Sequence, residues 1–585
     1  MNRQSRALLS ILIVAAVLVP YWWLSREPAT PGRSDPTTQT VTPVRGGSAV
    51  ASARTEPRSF NRIVQPELAT EYFSMLTLGR LVRINRATQE VEPWLAERWE
   101  TSNDQRTFTL TLREGVVWSD GTPFTAADVL FSFAAAYDPG VKSTLASSVS
   151  VGGQPLKVAS PDPRTVVVEY PAIFGPGIRL LDNLPIMPRH KLETALHAGA
   201  FAQAWSASTP VSELVSIGPF VLRQYQPAER LVYERNAHYW RKDAHGVQLP
   251  YLDRLTLEIV PAEAEIVRLQ SGELDFIQDS VRPSDLETLR PLEREGRLQI
   301  QELGVTPNAD AFVFNTRPEK WAKDPRGGWF ARKEFRQALS HAVDREAFAN
   351  TVFLGAAVPI HGPVTPGNTR WFWPSIPRYE YSQDKAKGLL QGLGLGNRDA
   401  DEWLEDAQGN EARFSALVFS TNSLMQRGAA VLRDDWRKIG VALDVVVLET
   451  NSVRARVVGG DFDAAFIGFT TNELDPAMSN DFWLSSGGAH FWNVAQKTPA
   501  TEWERQIDEL MTRQAATADE AERKRMFNEV QKIFAENLPV LYFAAPRVFV
   551  ATSSRLVNLQ PALLRPQLTW TADTIAVRDA TTTTH

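Results

Sequence analysis

The strand–helix–strand order between residues 414 and 448 constrains the fold of this chain more than any other feature of its sequence. The apolar periodicity predicts a strand at residues 414–419, a helix at 425–438 that stops at Gly440, and a second strand at 441–448. A unit of this kind closes with a right-handed crossover onto a parallel or mixed sheet. The chain is therefore expected to have an α/β fold.

Length and composition narrow the possibilities further. The 585 residues exceed what one hydrophobic core usually serves, so two or three packed units are expected. The chain contains no cysteine, which excludes disulfides, thiolate metal sites, a cysteine nucleophile and a lipidated cysteine. A net charge of -6 argues against a nucleic-acid partner, because phosphate binding needs a concentrated positive surface.

The first residues are typical of an export signal. Arg3 and Arg6 precede a long apolar run at residues 7–24. Because no small-x-small cleavage site follows promptly, a retained membrane anchor is favoured over a cleaved signal. Residues 25–45 are rich in proline and threonine, so an extended, disordered tether is expected there. The folded part of the chain is therefore expected in the periplasm or another extracytoplasmic space, tethered to the inner membrane.

A strand, a turn and a helix are predicted early in the chain. Phe108, Leu110 and Leu112 alternate with polar residues, so one face of this strand is expected to be buried. Thr125 is a good helix N-cap, and Asp128 three residues later completes a capping-box-like pair. Further strands are expected at residues 164–170, 220–225, 230–234 and 254–260, and further helices at 262–270 and 333–342.

Motifs of enzyme chemistry are largely missing from the sequence. The eight histidines form no HExxH pair and no other pair at ligand spacing on one helix, so a zinc site is not expected. The sequence has no GxSxG elbow and no GxGxxG that opens a helix. Asp and Glu are plentiful, so an exported hydrolase such as a glycosidase or a peptidase stays open as an alternative. The expectation is a protein that is not an enzyme and holds no cofactor or metal.

Four blocks of sequence follow one another in a characteristic order. They are WLAERWETSNDQRTFTLTLREGVVWSDGTPFTAADVLFSF at residues 94–133, IGPFVLRQYQPAERLVYERNAHYW at 217–240, AEIVRLQSGELDFI at 264–277, and FNTRP at 314–318 with FRQALSHAVDREAF at 335–348. Together they resemble the family 5 bacterial extracellular solute-binding proteins, which include the oligopeptide, dipeptide and nickel binders of ABC importers. One block is moderately specific, and four in series are strong.

The resemblance implies a periplasmic binding protein-like fold (type II, cluster C) with two lobes that close about a hinge, and a ligand between lobes I and III. Lobe I would be discontinuous, with an extra domain II, and the protein would be a monomer. The expected units are residues 1–46 for the signal or anchor and the tether, 47–100 for the first part of lobe I, 101–215 for domain II, 216–305 for the second part of lobe I, 306–539 for lobe III, and 540–585 for the return to lobe I and the tail.

The resemblance also implies where a ligand would bind. In the peptide-binding members, a Trp and an Asp that receives the α-ammonium of the peptide follow the strand that corresponds to residues 461–470. Here Phe469 stands at the Trp position and Asn472 at the Asp position, and a neutral amide cannot supply the charge that holds an ammonium. Glu473 or Asp475 would take over by a small shift, although Asp475 before a proline is suited to shape a turn. The candidate ligand-binding residues are Tyr72, Asn315, Phe469, Thr471, Asn472, Glu473, Asp475, Trp483 and Trp492.

The function that the resemblance implies is the capture of a peptide or peptide-like ligand and its delivery to the permease subunits of an ABC importer. The neutral residue at position 472 keeps a second ligand class open on the same scaffold: an oligosaccharide, an opine or a metal chelate. The exported hydrolase is the third alternative.

Overall fold

The computed structural model describes residues 45–399, 401–468 and 474–578. The N-terminal apolar run and the tether lie outside these residues, and so do four candidate ligand-binding residues, Phe469, Thr471, Asn472 and Glu473. Among the described residues, no helix has both the length and the apolar character needed to cross a membrane. The described chain has a two-lobed α/β architecture built on two large sheets, of eight and five strands, and a smaller sheet of four strands.

An eight-stranded mixed sheet builds the first lobe. Its strand Ser48–Ala53 runs parallel to Arg254–Ile259 on one side and to Phe276–Ile277 on the other. The small residues Ala49 and Ala51 of this central strand are fully buried. The other strands of the sheet are Phe220–Gln226, Arg230–Arg235, Leu298–Val305, Ala357–Pro359 and Ala544–Ser553. Distant stretches of chain meet in one sheet, so the first lobe is discontinuous.

A four-stranded antiparallel sheet lies in the same half of the molecule. Its strands, in spatial order, are Ala96–Thr101, Thr107–Leu112, Thr165–Glu169 and Lys157–Asp162. The alternation predicted for the second strand is confirmed, because Phe108, Leu110 and Leu112 are buried. The sheet begins at Ala96, so it extends across the division expected at residue 101.

The capping box predicted for the next helix is also confirmed. Helix Ala126–Tyr137 begins after Thr125, whose hydroxyl accepts a hydrogen bond from the N–H of Ala127 (3.3 Å). The Asp128 carboxylate in turn accepts from the N–H of Thr125 (3.0 Å). Helix Ala262–Ser271 ends at Gly272 in the left-handed conformation (φ 80°), where glycine carries no Cβ penalty.

A five-stranded sheet builds the second lobe. Its strands, in spatial order, are Ala442–Leu448, Arg413–Phe419, Ala464–Gly468, Asp310–Phe314 and Val540–Tyr542. The first three strands are parallel, and helix Ser423–Arg437 connects two of them, which confirms the predicted strand–helix–strand unit. Strand Val540–Tyr542 belongs to this sheet, so the sheet continues past the limit expected at residue 539.

The remaining elements cover the faces of these sheets. The other α-helices are Leu68–Thr77, Leu145–Ser148, Arg189–His197, Leu286–Arg294, Pro318–Trp321, Gly327–Phe330, Lys333–His341, Arg345–Phe353, Gln383–Gly392, Thr450–Gly459, Asn480–Trp483, Glu502–Ala515 and Glu520–Asn537. The 3₁₀ helices are Gly177–Asn183, Val211–Glu213, Pro283–Asp285, Pro476–Ser479 and Thr569–Thr574. Three short two-stranded sheets pair Val82–Ile84 with Val91–Pro93, Ser150–Val151 with Gln154–Pro155, and Leu556–Val557 with Ala576–Val577.

Separate apolar cores support the two lobes. The eight-stranded and four-stranded sheets share one large core, in which Phe73, Leu110 and Phe276 are buried. The five-stranded sheet has a core on each face, one around Phe312 and one around Val313. The chain passes between the large sheets through short connections at residues 306–309 and at Phe543. Short connections between separately packed lobes are the usual arrangement for hinged closure.

Candidate ligand site

Both large sheets present the carboxyl ends of parallel strands. In the five-stranded sheet these strands end at Phe419, Leu448 and Gly468. In the eight-stranded sheet the parallel strands end at Ala53, Ile259 and Ile277. Ligands of α/β proteins bind outside the carboxyl ends of parallel strands, where loops from several strands meet. These two edges are therefore the candidate walls of a ligand site.

A cavity of about 280 Å³ lies beside the connection at residues 306–309. Trp483 and Phe527 form part of its apolar lining, and Tyr542 lies at the other connection between the sheets. Asn368 and Asp481 add polar groups. An apolar cavity with a few polar side chains at a lobe junction is typical of small-ligand sites.

Asp310 is a carboxylate at the edge of the five-stranded sheet that the sequence reasoning missed. It is the first residue of its strand and pairs directly with Gly468, the last residue of the neighbouring strand. Among the described residues its carboxylate forms no hydrogen bond or ion pair, and burial raises the pKa of this carboxyl to about 7. The only signal in the sequence is a charged residue at the start of an otherwise apolar strand.

A polar network occupies the carboxyl edge of the eight-stranded sheet. The Tyr72 hydroxyl donates to Asp279 Oδ1 (3.0 Å), and burial together with this carboxylate raises the pKa of Tyr72. Arg54, which directly follows the central strand, donates to Glu265 Oε2 from Nη2 (2.8 Å). Gln278 lies beside Asp279 in the chain, is 1 % exposed, and has neither amide atom hydrogen-bonded within the described residues. Tyr72 is thus placed in a wall rich in hydrogen-bonding groups.

Asn315 and Asp475 have their side chains occupied by other parts of the protein. Asn315 is fully buried, and its Nδ2 donates to the carbonyls of Gly460 and Phe462 (2.9 Å each). Asp475 forms a buried two-point ion pair with Arg523, in which Nη1 lies 2.9 Å from Oδ2. Asp475 also accepts a hydrogen bond from the N–H of Ala477 (3.0 Å). Its side chain therefore caps the 3₁₀ helix Pro476–Ser479.

The two candidate tryptophans differ in position. Trp483 lines the 280 Å³ cavity and packs edge-on against Phe527. Trp492 is 1 % exposed, and its ring centre lies 3.8 Å from that of His490. The carbonyl of Trp492 accepts from the N–H of Thr316 (2.8 Å), which places Trp492 next to the Asn315 loop. Of these candidates the structure therefore places Trp483 in the cavity lining and Asp475 between two lining residues, Leu474 and Pro476. Asn315 and Trp492 do not line the cavity, and Tyr72 lies on the first lobe.

Contacts away from the connections also join the two lobes. The Gln89 Nε2 donates to the carbonyl of Gly367 (3.0 Å), and Arg370 Nη1 pairs with Glu90 (3.0 Å). On another side, the N–H of Gly175 donates to the carbonyl of Ala515 (2.6 Å). The lobes thus touch at surfaces that a hinge motion would separate.

Comparison with known proteins gives one family. The sequence model of the bacterial extracellular solute-binding proteins, family 5 Middle, matches residues 90–491, which is more than half of the chain. The match includes most of the residues that line the candidate cavity and most strands of the eight-stranded and five-stranded sheets.

Several curated proteins are similar over most of their length. A probable ABC transporter-binding protein of Deinococcus radiodurans is 28% identical over 85% of this chain and 86% of its own length. The heme-binding protein A of Haemophilus influenzae is 27% identical over 83% of this chain and 84% of its own length. The dipeptide-binding protein of Escherichia coli is 26% identical over 86% of this chain and 90% of its own length.

A solved structure has the same fold. The oligopeptide-binding protein AppA from Bacillus subtilis, determined in complex with a nonapeptide, superposes with a TM-score of 0.70 at 22% sequence identity. The match covers 92% of this chain and 100% of that chain.

Proposed function

Because the chain belongs to the family 5 bacterial extracellular solute-binding proteins, we propose that it captures a peptide or peptide-like solute between its two lobes and delivers it to an ABC importer. The observation that carries this proposal is the family match over residues 90–491. The geometry supports it, since the carboxyl ends of two parallel strand sets meet across short connections. Its role is that of a receptor, with affinity set by the difference between open and closed states.

The proposed ligand contacts come from both lobes. On the second lobe they are Phe469, Thr471, Asn472 and Glu473, with Asp475 holding the following turn and Trp483 lining the cavity. On the first lobe Tyr72 and its carboxylate partner Asp279 form the opposite wall. Asn315 and Trp492 support the second lobe from behind.

Asp310 is proposed to supply the negative charge that Asn472 lacks. It stands at the same sheet edge, in register with the residue that precedes the 469–473 segment. Its carboxylate has no partner among the described residues, so a ligand ammonium would be its counter-ion. This supports a ligand with a free amino group over a neutral oligosaccharide.

The cellular setting follows from the same proposal. The folded lobes would act outside the cytoplasmic membrane as a monomer, with residues 1–46 as membrane anchor and tether. The proposed division of the rest starts from the expected ranges, which are 47–100, 216–305 and 540–585 for lobe I, 101–215 for domain II and 306–539 for lobe III. We propose two adjustments: lobe III extends through strand Val540–Tyr542, and domain II begins with strand Ala96–Thr101. The partner would be the permease of the importer.

A binding screen tests the proposed function. Purified protein is heated with mixtures of short peptides, with maltooligosaccharides and with hemin, and its melting temperature is compared with that of the free protein. Each mixture is then analysed by mass spectrometry. The proposal expects a higher melting temperature with peptides, which are recovered unchanged. Stabilisation by oligosaccharide or hemin alone would change the ligand class, and cleaved products would contradict the receptor role.

A further inference from the structure

A second cavity in the five-stranded lobe is built differently from the candidate ligand site. Its volume is about 380 Å³, and it is formed by the start of helix Arg345–Phe353 and by two loop segments, residues 359–366 and 372–381. It shares only Val364 with the 280 Å³ cavity among their lining residues. The carboxyl ends of the parallel strands do not contribute to it.

Two arginines give the floor of this second cavity a positive charge. Arg345 is buried, and all its hydrogen bonds go to backbone carbonyls, such as that of Ile360 (3.1 Å), and to the Ser340 hydroxyl (2.9 Å). Arg378 donates to the carbonyl of Pro374 (3.0 Å). Within the described part of the chain, neither guanidinium has a carboxylate within ion-pair distance. The Arg378 guanidinium is therefore available to an anion, whereas Arg345, whose donors are bonded within the protein, contributes only its charge.

His361 lies between these charges as a neutral hydrogen-bonding group. Burial is the main cause that lowers the pKa of His361 to about 4, and the positive charges of Arg345 and Arg378 lower it further. Its Nδ1 is buried without a hydrogen-bond partner among the described residues. An unsatisfied lone pair costs less than an unsatisfied N–H, which places the lone pair on Nδ1 and the proton on Nε2. The Nε2–H is then a free donor on the cavity wall.

The rest of the lining is divided between acidic and apolar groups. Glu346 and Glu380 are exposed at the cavity. Asp344 also lines it, but its carboxylate accepts from the N–H of Ala347 (3.0 Å) and caps the helix. Ile376 and Phe372 provide apolar parts of the lining. The cavity thus combines cationic, anionic and apolar side chains in one lining.

We propose that this cavity binds a free α-amino acid with an apolar side chain. The carboxylate would be held by Arg378 and by the Nε2–H of His361 near Arg345, the ammonium would face Glu346 and Glu380, and the side chain would pack on Phe372 and Ile376. A volume of about 380 Å³ accommodates such a molecule. This site is separate from the proposed peptide site and does not depend on that function.

Calorimetric titration of the full-length protein with L-phenylalanine tests the proposal. Two analogues isolate the charges, since phenethylamine lacks the carboxylate and 3-phenylpropanoate lacks the ammonium. Arg378→Gln is expected to weaken L-phenylalanine binding about fivefold, as for an exposed ion pair. Arg433→Gln, an exposed arginine of the same lobe outside the cavity, is the matched control and should bind as the wild type does.

The outcomes separate this site from the candidate ligand site. Weaker binding in Arg378→Gln, with unchanged binding in Arg433→Gln and Asp310→Asn, supports the cavity. Loss in Asp310→Asn alone would place the amino acid at the strand ends and overturn the proposal. Absence of heat at millimolar L-phenylalanine, or equal binding of both analogues and the amino acid, would also contradict it.

Discussion

Asp310 and Gly468 lie directly opposite each other in an antiparallel pair, and a Cβ on Gly468 would come within 3.0 Å of the Asp310 carboxylate oxygen Oδ1. The same Cβ would lie 3.1 Å from the methyl carbon of Met425. The missing side chain at position 468 therefore leaves the room in which the Asp310 carboxylate sits. Because the Asp310 carboxylate has no partner among the described residues, its ionisation should affect both the stability of the fold and the binding of a charged ligand.

Asp310→Asn should change the pH dependence of stability. Burial raises the pKa of Asp310 from its usual 3.8 to about 7, so the folded state binds a proton that the unfolded state has lost across this interval. The wild type therefore loses stability from this group as pH rises from about 4 to 7. We expect the variant to gain on the order of 3 kcal/mol relative to the wild type between pH 5 and pH 8, measured by urea denaturation.

The exposed aspartate Asp434 supplies the control for this measurement. Its side chain is 64% exposed, so Asp434→Asn should leave the pH dependence as in the wild type. A constant difference between Asp310→Asn and the wild type at both pH values would show that Asp310 does not titrate in this range.

Charge at the strand ends should decide whether peptides need a free amino group. For a peptide that binds the wild type, Asp310→Asn should weaken binding about tenfold, because a charge-assisted hydrogen bond is removed. Asn472→Asp should strengthen binding of the same peptide by adding a negative charge to the segment that follows Gly468 in the sequence. The N-acetylated peptide is the matched ligand and should respond to neither change. Equal responses of both peptides in calorimetry would show that the ligand ammonium does not interact with these carboxylates.

The buried ion pair of Asp475 with Arg523 should stabilise the second lobe strongly. Both side chains are almost fully buried, at 4% and 3% exposure, so Asp475→Asn leaves an uncompensated arginine inside the protein. We expect a loss of about 3–5 kcal/mol in the free energy of unfolding. Glu509→Gln breaks the exposed pair with Arg505 and should cost less than about 1 kcal/mol. Similar costs for the two variants would contradict the structural role of Asp475.

A Cβ at Gly175 should disturb the contact between the lobes. It would lie 2.6 Å from the carbonyl oxygen of Thr517 and 2.4 Å from Arg523 Nε. Because backbone cannot yield as a flexible side chain does, Gly175→Ala should favour the open arrangement and weaken peptide binding. Gly396→Ala, where a Cβ meets nothing within 4 Å, is the control. Unchanged affinity in Gly175→Ala, measured by calorimetry, would show that this contact takes no part in closure.

The sequence predicted elements best where local chemistry decides them. The strand–helix–strand unit, the alternation through Leu110, the Thr125 cap and the left-handed Gly272 all depend on residues close together in the chain. Sheet membership was harder, because strand Val540–Tyr542 pairs with residues far away in sequence. The expected limit at residue 539 therefore fell inside the second lobe.

The site was predicted less completely for the same reason. The environment of Asn315 depends on the carbonyls of Gly460 and Phe462, and that of Asp475 on Arg523. Asp310 became a candidate only through its pairing with Gly468. No local pattern of sequence reports such long-range partners. The four candidates at positions 469 and 471–473 lie outside the described residues, so they stay predictions.

Closure of the two lobes on a solute is the central step of the proposed function, and the distance between the lobes measures it most directly. The chain has no cysteine, so Glu287→Cys on the first lobe and Asp434→Cys on the second give unique, exposed labelling sites for spin–spin distance measurements. A pair within the second lobe, Lys385→Cys with Asp434→Cys, is the control. Adding a stabilising peptide should shorten and narrow the distance between the lobes and leave the control unchanged. An interlobe distance that stays the same with saturating peptide would contradict capture by closure.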